Sequence, residues 1–366
     1  MKSKTPQPAR PARGTRFFWS TLVVAGVVSG GLLECSKPRT PNEIKGEQTY
    51  ARMCAVCHGK GGEGYAADRA PSLDDPDFLA SASADFIRKA IESGRAGSTM
   101  SAWGRSRGGP LNSTEIDEIV IAMRSWGTRQ KATLDEGPLN GDATKGADLF
   151  AKECAGCHGE KGTGGTYVQI GNYELLSTAS NGFLRYAIRR GRPSKGMPSF
   201  ETKLGDGAID DVIAHLRTLQ KSGAPQVRPT AAKAPPIPLG PIPLNPKGPE
   251  PDGFRASPAM TPADVVKREL DRHAKMVIMD ARAPSDYTSE HIAGAVSVPF
   301  YDPDPYFSQL PRDVWLVAYC GCPHAESGTL ARKLLTEGFT KVTVLDEGLP
   351  YWRSHDYPLE SSTPKP

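Results

Sequence analysis

Two short motifs combine thiols and an imidazole at one fixed spacing. In each motif, two cysteines separated by two residues are followed directly by a histidine. On a helix, positions i and i+3 share a face, so both thiols can meet one flat ligand while the histidine points at its centre. This arrangement serves two thioether bonds to haem vinyl groups and a histidine ligand to iron. The motif residues are Cys54, Cys57, His58, Cys154, Cys157 and His158.

Two other interpretations of this spacing are a thioredoxin-like dithiol and half of a zinc site. A zinc site needs a second ligand pair at a suitable spacing, and none follows either motif. The residues that flank the two motifs also match, which indicates that both motifs bind the same kind of group. The sequence therefore predicts two covalently bound c-type haems with their iron.

The motifs belong to a longer internal repeat. Residues 46–59 recur as residues 146–159, with the same pattern of glycine, aromatic residue, alanine, cysteines and histidine. Downstream, Ile116–Trp126 and Ile209–Leu219 both carry apolar residues at helical spacing. We therefore expect two copies of one all-α domain. Their predicted bounds are 46–130 and 138–222.

Each repeat resembles the class I cytochromes c over nearly its whole length. In that family a methionine, on a loop between the motif helix and a C-terminal helix, supplies the sixth iron ligand. The resemblance pairs His58 with Met100 and His158 with Met197. Met197 is followed by proline, as the family pattern prefers, whereas Met100 is not, and Met123 is a competitor that we expect in the core. A histidine–methionine pair raises the reduction potential and closes the iron to small ligands, so electron transfer is the implied activity.

A different kind of sequence follows the second repeat. Residues 223–258 contain eleven prolines, which forbid helix interiors and central strands. We expect a semi-extended linker that reaches at most about 110 Å, at roughly 3.1 Å per residue, and lets the next domain move independently. Residues 259–360 alternate short apolar runs with a helical segment, which predicts an α/β domain with a parallel sheet.

Six stretches of the third domain, 259–360, form a recognisable pattern: Asp280-Ala281-Arg282, His291-Ile292-Ala293-Gly294-Ala295, Tyr319-Cys320, Gly338-Phe339, Asp346-Glu347-Gly348 and Trp352. In these stretches the domain resembles the rhodanese family. The resemblance implies that Cys320, at the end of an apolar strand, is a nucleophile that carries sulfane sulfur as a persulfide. It also implies that the following helix N-terminus lowers the pKa of that thiol.

The cysteine loop departs from the family pattern. It is one residue longer than usual, and Glu326 stands where the family often has an arginine, the nearest in sequence being Arg332. A carboxylate there would repel thiosulfate, and it argues more strongly against related phosphatases and arsenate reductases. Cys322 could resolve a persulfide or form a disulfide with Cys320, and His324 could tune the thiolate. An inactive fold kept as a docking module is the alternative.

The first 35 residues have the features of a targeting segment. A basic stretch precedes Phe17–Leu33, which contains no charged residue and is typical of an export signal. At 17 residues it could also be an uncleaved anchor. The run ends at Cys35 in a sequence that resembles a lipobox, although Glu34 replaces the usual small residue. Lipidation of Cys35, an uncleaved helix and a released protein all place the body outside the cytoplasm, on the periplasmic side of a bacterial membrane.

The charge excludes one class of partner. The formal net charge is +4, but five basic residues lie in the leading segment, and the remainder is close to neutral. A nucleic-acid binder would carry a basic surface, so we expect redox partner proteins instead. The sequence predicts a membrane-tethered dihaem electron carrier of a periplasmic electron-transfer chain, with sulfane-sulfur transfer coupled to haem redox. The alternatives are a pure electron carrier with a docking module and a Cys320/Cys322 redox sensor.

Overall fold

The structure is a computed structural model that describes residues 38–65, 67, 69–127, 129–222, 239, 241–322 and 324–362. Cys35, the predicted targeting segment 1–35 and the first part of the predicted linker lie outside the described residues. Within the described part of the chain, no helix combines the length and the apolar character needed to cross a bilayer.

Both repeats are helical, as predicted. In the first, the helices are α1 (Pro41–Met53), α2 (Ala55–His58), α3 (Pro76–Ser81), α4 (Ala84–Ser93) and α5 (Ser113–Ser125). In the second, they are α6 (Ala143–Glu153), α7 (Ala155–His158), α8 (Tyr173–Thr178), α9 (Asn181–Arg190) and α10 (Asp206–Ser222).

A glycine in each repeat lets the first and last helices touch backbone to backbone. A Cβ atom on Gly46 of α1 would lie 1.9 Å from the carbonyl oxygen of Glu118 in α5. A Cβ atom on Gly146 of α6 would lie 1.9 Å from the carbonyl oxygen of Asp211 in α10. No side chain fits at that distance. The repeated glycine therefore fixes the crossing of the motif helix with the C-terminal helix.

An arginine at equivalent places in the two repeats ties the last helix to the middle of its domain. Arg124 of α5 donates hydrogen bonds to the carbonyl oxygens of Leu79 and Ala82, at the end of α3. Arg217 of α10 does the same for the carbonyl oxygens of Leu176 and Ala179, at the end of α8. These bonds satisfy carbonyl groups that a short helix leaves without partners.

The two repeats pack directly against each other. The rings of Phe86 and Phe183, which occupy equivalent positions, lie 4.9 Å apart. Asn172 donates a 2.6 Å hydrogen bond to the carbonyl oxygen of Ala96 across the interface. Aromatic contact and hydrogen bonding together hold the repeats in one orientation.

The third domain has the predicted α/β architecture. The strands are β1 (Met260–Thr261), β2 (Met276–Asp280), β3 (His291–Ile292), β4 (Val296–Ser297), β5 (Trp315–Tyr319), β6 (Val342–Leu345) and β7 (Leu359–Glu360). Five of them form a parallel sheet with the order β1-β6-β5-β2-β4, and β3 pairs with β7 in a separate antiparallel ribbon. The helices are α11 (Ala263–Asp271), α12 (Pro284–Ser289), α13 (Ala325–Thr336) and α14 (Gly348–Ser354).

The described end of the proline-rich segment, residues 241–258, has no helix but is not a free spacer. The carbonyl oxygen of Pro249 accepts a 2.8 Å hydrogen bond from the Lys275 amide, and Asn245 donates to the carbonyl oxygen of His273. The Ser257 amide bonds to the carbonyl oxygen of Val342 in β6. This part of the segment is therefore bound along the α/β domain, because each bond satisfies a backbone group.

The α/β domain docks on the first repeat. Ser285 of α12 donates a 2.8 Å hydrogen bond to the carbonyl oxygen of Ala102. Ser101 donates to the carboxylate of Asp286, and the ring of Trp103 lies 5.5 Å from that of Tyr301. Polar and aromatic contacts therefore join the two domains in this structure, and the independent movement expected from the linker stays a prediction.

The close helix crossing predicts the effect of adding a single methyl group. Gly146→Ala should lower the free energy of unfolding by about 1–3 kcal/mol, because the added carbon collides with backbone that must move. Gly207→Ala is the matched control: it lies in α10 with open space around it, so it should be neutral or stabilising by at most about 1 kcal/mol. Urea unfolding of the haem-loaded protein measures both. Equal effects of the two substitutions would contradict this account of the crossing.

Candidate functional site

One cavity of about 1030 Å³ lies where the two repeats meet the α/β domain. The structure brings both predicted pairs of iron ligands to this cavity, together with part of the cysteine loop. Residues of these groups that line it are His58, Met100, His158, Met197, Gly321 and Glu326.

The motif histidines are held in one tautomer. Nδ1 of His58 lies 2.8 Å from the carbonyl oxygen of Pro71, and Nδ1 of His158 lies 2.8 Å from that of Val168. A carbonyl oxygen only accepts, so Nδ1 carries the proton and Nε2 keeps its lone pair for a metal. Burial lowers the pKa of both histidines, which keeps the rings neutral. The arrangement is the one that an iron-binding imidazole needs.

The residues at each motif fit a haem. In each motif the first free thiol, Cys54 or Cys154, lies between the long helix and the following short helix, and the second, Cys57 or Cys157, lies in the short helix. Each pair precedes a neutral imidazole, and a methionine thioether borders the same largely apolar cavity. These groups would hold the ring through two thioether bonds and the iron through two axial ligands, and the bound group supplies one-electron redox chemistry.

The methionine loops have the same geometry in both repeats. The Arg95 amide donates to the carbonyl oxygen of Met100 over 2.9 Å, and the Arg192 amide donates to that of Met197 over 2.8 Å. Each loop starts at a glycine with φ near +60°, where a side chain would be strained. A Cβ atom on the first of these, Gly94, would also lie 2.5 Å from the carbonyl oxygen of Met100. The glycine thus lets the methionine loop fold back onto the helix that precedes it.

Met123, the competing methionine, is 2% exposed in the core on α5, as we expected, although it also borders the cavity. Trp103 and Phe200 lie three residues after Met100 and Met197, and both belong to the hydrophobic core. Of these two side chains, Trp103 also lines the cavity.

Two arginines that sequence reasoning missed also line the cavity. Arg95 and Arg192 follow the conformationally special glycines at equivalent positions, and burial lowers the pKa of both, that of Arg95 to about 10. Nε of Arg192 lies 3.6 Å from the Asp75 carboxylate, and Arg95 donates to the carbonyl oxygen of Gly94 over 3.3 Å. A buried cation with such long contacts favours an anionic ligand, and haem propionates would provide one. The repeated Gly-Arg pair was the available signal.

The cysteine loop of the α/β domain is closed to solvent. Cys320 is 1% exposed, and its thiol donates to the carbonyl oxygen of Cys322 over 2.6 Å. The Cys322 sulfur lies 3.4 Å away and the Ser327 hydroxyl 3.3 Å away. Burial, followed by the interaction with Cys322, raises the pKa of Cys320 well above its ordinary value. The expected lowering of this pKa is therefore wrong here: the helix N-terminus does not offset the loss of solvent.

Glu326 lies beside the two thiols. It is 6% exposed, and its carboxyl oxygen and the sulfurs of Cys320 and Cys322 all lie within 4.8 Å of one another. Burial, then the neighbouring Cys320, raises the pKa of Glu326 well above its ordinary value, which favours the protonated acid. Protonation of this group weakens the repulsion of thiosulfate that we expected from a carboxylate here.

The charged groups around the loop are paired with each other. Arg282, rather than Arg332, borders the cavity, and it forms a 2.6 Å ion pair with Asp280. Nε2 of His324 is hydrogen-bonded to the backbone carbonyl oxygen of Asp346 and lies 3.0 Å from the Asp346 carboxylate. Since His324 is engaged with Asp346, the structure gives no support to its tuning of Cys320.

The cysteine loop touches the haem motif of the first repeat. Helix α13, which begins just after the loop, contacts α2. Cys320 lowers the pKa of Cys322, but the nearby Cys57 and burial outweigh this effect and raise it above its ordinary value. Sequence reasoning had no signal for this contact, because the two cysteines are far apart along the chain.

Family models match all three domains. The model described as cytochrome c oxidase, cbb3-type, subunit III matches residues 41–121 and 141–216. The rhodanese-like domain model matches residues 262–355. The chain therefore combines two stretches of cytochrome c domain with a C-terminal rhodanese-like domain.

Individual proteins are similar to parts of the chain. FixP, a cbb3-type cytochrome c oxidase subunit of Azorhizobium caulinodans, is 30% identical over 48% of this chain and 59% of its own length. The cytochrome c subunit of the Mycobacterium leprae cytochrome bc1 complex is 27% identical over 56% of this chain and 74% of its own. A rhodanese-like domain from Anabaena is 27% identical, with a TM-score of 0.28, over 31% of this chain and 87% of its own. The chain spans about three fifths of the first of these relatives.

The raised pKa of Glu326 predicts how pH changes the stability of the protein. The folded chain keeps Glu326 protonated to a higher pH than the unfolded chain, which ionises it near its ordinary pKa. The free energy of unfolding therefore falls as pH rises above that ordinary pKa. Glu326→Gln removes this pH dependence and should stabilise the protein more at pH 8 than at pH 5. A tenfold difference in proton affinity corresponds to about 1.4 kcal/mol, so we expect the free energy of unfolding at pH 8 to rise by at least about that amount. Urea unfolding at both pH values tests it, and a gain that does not depend on pH would contradict it.

Proposed function

We propose that this chain, in which cytochrome c domains precede a rhodanese-like domain, is an exported electron-transfer protein with two covalently bound haems. Cys54 and Cys57 would carry one haem, with His58 and Met100 as iron ligands. The equivalent residues Cys154, Cys157, His158 and Met197 would carry the other. The observation that supports this most directly is the cavity that receives both neutral imidazoles and both methionines.

The packing of the repeats supports electron exchange between the two haems. Both histidines and both methionines face one continuous cavity, and the Phe86–Phe183 contact holds the repeats together. Electrons would then enter at one repeat and leave at the other, toward redox partner proteins. The similarity to cytochrome c oxidase and cytochrome bc1 subunits makes a membrane-bound respiratory complex the partner that we propose.

We place this activity on the periplasmic side of a bacterial membrane. The proposal rests on the charge-free stretch Phe17–Leu33 after a basic leader. Tethering would come from lipidation at Cys35 or from an uncleaved helix. A tether would keep the carrier close to membrane-bound partners.

The rhodanese-like domain would link sulfur chemistry to this electron transfer. Cys320 would take sulfane sulfur as a persulfide, and Cys322 lies close enough to resolve it. In the docked arrangement Cys320 is buried and held as a thiol, whereas sulfur transfer needs an accessible thiolate. We infer that sulfur loading takes place when the domain is released from the first repeat.

A second candidate is a pure electron carrier whose third domain only docks. The closed loop around Cys320 and the raised pKa of its thiol favour this alternative. In this case the domain would shield the first haem motif and set which partner reaches it. The two candidates differ in whether the domain ever performs chemistry.

Changing one axial ligand tests the electron-transfer proposal. Met197→His should lower the reduction potential of one of two haems, because histidine raises the potential less than methionine does as an iron ligand. A spectroelectrochemical titration of the haem-loaded protein, with haem content measured as two per chain, reports both potentials. Met123→Leu is the matched control and should leave both unchanged. A shift caused by Met123→Leu, or a single haem per chain in the parent, would contradict the assignment.

Releasing the docked domain tests the sulfur proposal. Ser285→Glu places a charge against the first repeat but suits the first turn of α12. It should raise sulfur transfer from thiosulfate to cyanide by tenfold or more, corresponding to about 1.4 kcal/mol. The rate should rise with pH in parent and variant alike, since the thiolate fraction grows as pH approaches a raised pKa.

Two further variants complete this comparison. Ser308→Glu, at an exposed serine of the same domain, should leave the rate unchanged. Cys320→Ser should abolish transfer in the released form. If neither the parent nor Ser285→Glu transfers sulfur, while both haems still exchange electrons, the docking-module alternative holds instead.

A further inference from the structure

We propose that Cys320 and Cys322 form a dithiol–disulfide couple that donates electrons directly to the haem of the first repeat. The inference rests on the proposed attachment of that haem at Cys54 and Cys57. The two thiols would be an internal electron donor that requires no sulfur substrate in the site. This donor would act through the contact of the cysteine loop with the first haem motif.

The two thiols are placed for disulfide formation. Their sulfurs lie 3.4 Å apart in one loop, and a disulfide needs about 2.05 Å. Both cysteines are at least 98% buried, so small oxidants and thiols in solution cannot reach them in the docked form. An internal electron acceptor is therefore the group best placed to oxidise the pair.

The loop touches the first haem motif on two sides. On one side, α13 contacts α2, the helix that contains Cys57, and Cys322 lies near enough to Cys57 for that thiol to raise its pKa. On the other side, a Cβ atom on Gly321 would lie 3.8 Å from Cγ2 of Thr99, the residue before the predicted ligand Met100. After haem attachment the Cys57 sulfur is a thioether, which can accept a hydrogen bond from Cys322. Electrons would then pass from the Cys322 sulfur to the Cys57 sulfur, which would be bonded to the edge of the haem.

The contacts that hold the domain in place flank the methionine loop. Ser285 donates to the carbonyl oxygen of Ala102, and Ser101 donates to Asp286. Both lie within two residues of Met100 along the first repeat. The docked geometry thus depends on bonds that do not involve the thiols, so docking and thiol chemistry can be changed separately.

The electron balance matches the two predicted haems. Two S–H bonds break and one S–S bond forms; two protons pass to the buffer, and two electrons reduce two ferric irons, one in each repeat. Thiol–disulfide couples of proteins lie at low potential, while histidine–methionine ligation raises the potential of a haem. The electrons therefore flow from the thiols to the haems.

The experiment uses the full haem-loaded chain, with ferric haems and reduced Cys320 and Cys322, kept without oxygen and without added reductant. Both haems should become ferrous, with two electrons gained per chain. In parallel, the tryptic peptide 313–332, which contains both cysteines, should lose 2 Da as its disulfide forms. Absorbance and mass spectrometry give independent readouts.

Four variants isolate the cause. Cys320→Ser and Cys322→Ser should leave the haems ferric, and Ser285→Glu should slow their reduction at least tenfold while the thiols still form a disulfide with an added oxidant. Ser308→Glu should behave as the parent. Reduction of all variants by ascorbate checks that the haems exchange electrons.

Three outcomes overturn the proposal. The parent could keep ferric haems and two free thiols, haem reduction could proceed equally in Cys322→Ser, or it could be unaffected by Ser285→Glu. If ascorbate reduces the haems normally in these cases, the dihaem carrier stands and only the internal donor fails. If ascorbate fails to reduce haem in the parent, the proposed electron-transfer function fails instead.

Discussion

The contact between α1 and α5, repeated between α6 and α10, is the constraint on which the rest of each repeat depends. At Gly46 and Gly146 the two helices meet at a distance that no side chain permits. Since α1 and α6 lead directly into the cysteine–histidine motifs, this crossing sets the direction in which the motifs face. Bonds from Arg124 and Arg217 then hold the middle helices against the same crossing. The position of each motif at the cavity therefore depends on backbone contacts as much as on side-chain packing.

Exclusion of water sets the chemistry of the groups around the cavity. It keeps His58 and His158 neutral, which suits them to bind metal. The same exclusion favours the protonated forms of Cys320 and Glu326, which suppresses thiolate chemistry while the domain is docked. Burial thus favours electron transfer at the haem motifs and opposes sulfur transfer at the thiol loop. The two activities would belong to different positions of one domain.

Docking gives the third domain a role that its fold alone does not provide. A parallel sheet that ends in a cysteine loop is a general scaffold, and the chemistry depends on what the loop faces. Here the loop faces α2 and the loop that carries Met100, and it contributes Gly321 and Glu326 to the cavity of the cytochrome repeats. The domain therefore changes the surroundings of the first motif and leaves the second motif without an equivalent cover. Two similar repeats thereby acquire different environments.

The sequence by itself determined the fold class, the internal repeat and the rhodanese-like character of the third domain. These features depend on local spacing: a helical motif of five residues, apolar periodicity and a strand that ends just before Cys320. It also singled out Met100 and Met197, through the resemblance of each repeat to the class I cytochromes c. The roles of these residues in haem binding stay predictions.

Tertiary structure alone decided the orientation of the domains, and with it the state of the ionisable groups. The pKa of Cys320 was predicted in the wrong direction, and the raised pKa of Glu326 was not predicted, because a helix N-terminus is visible in sequence whereas loss of solvent is not. The contact between Cys57 and Cys322 joins residues 265 positions apart, and no spacing rule reaches that far. The sequence specifies local geometry, while burial and long-range contact exist only once the chain has folded.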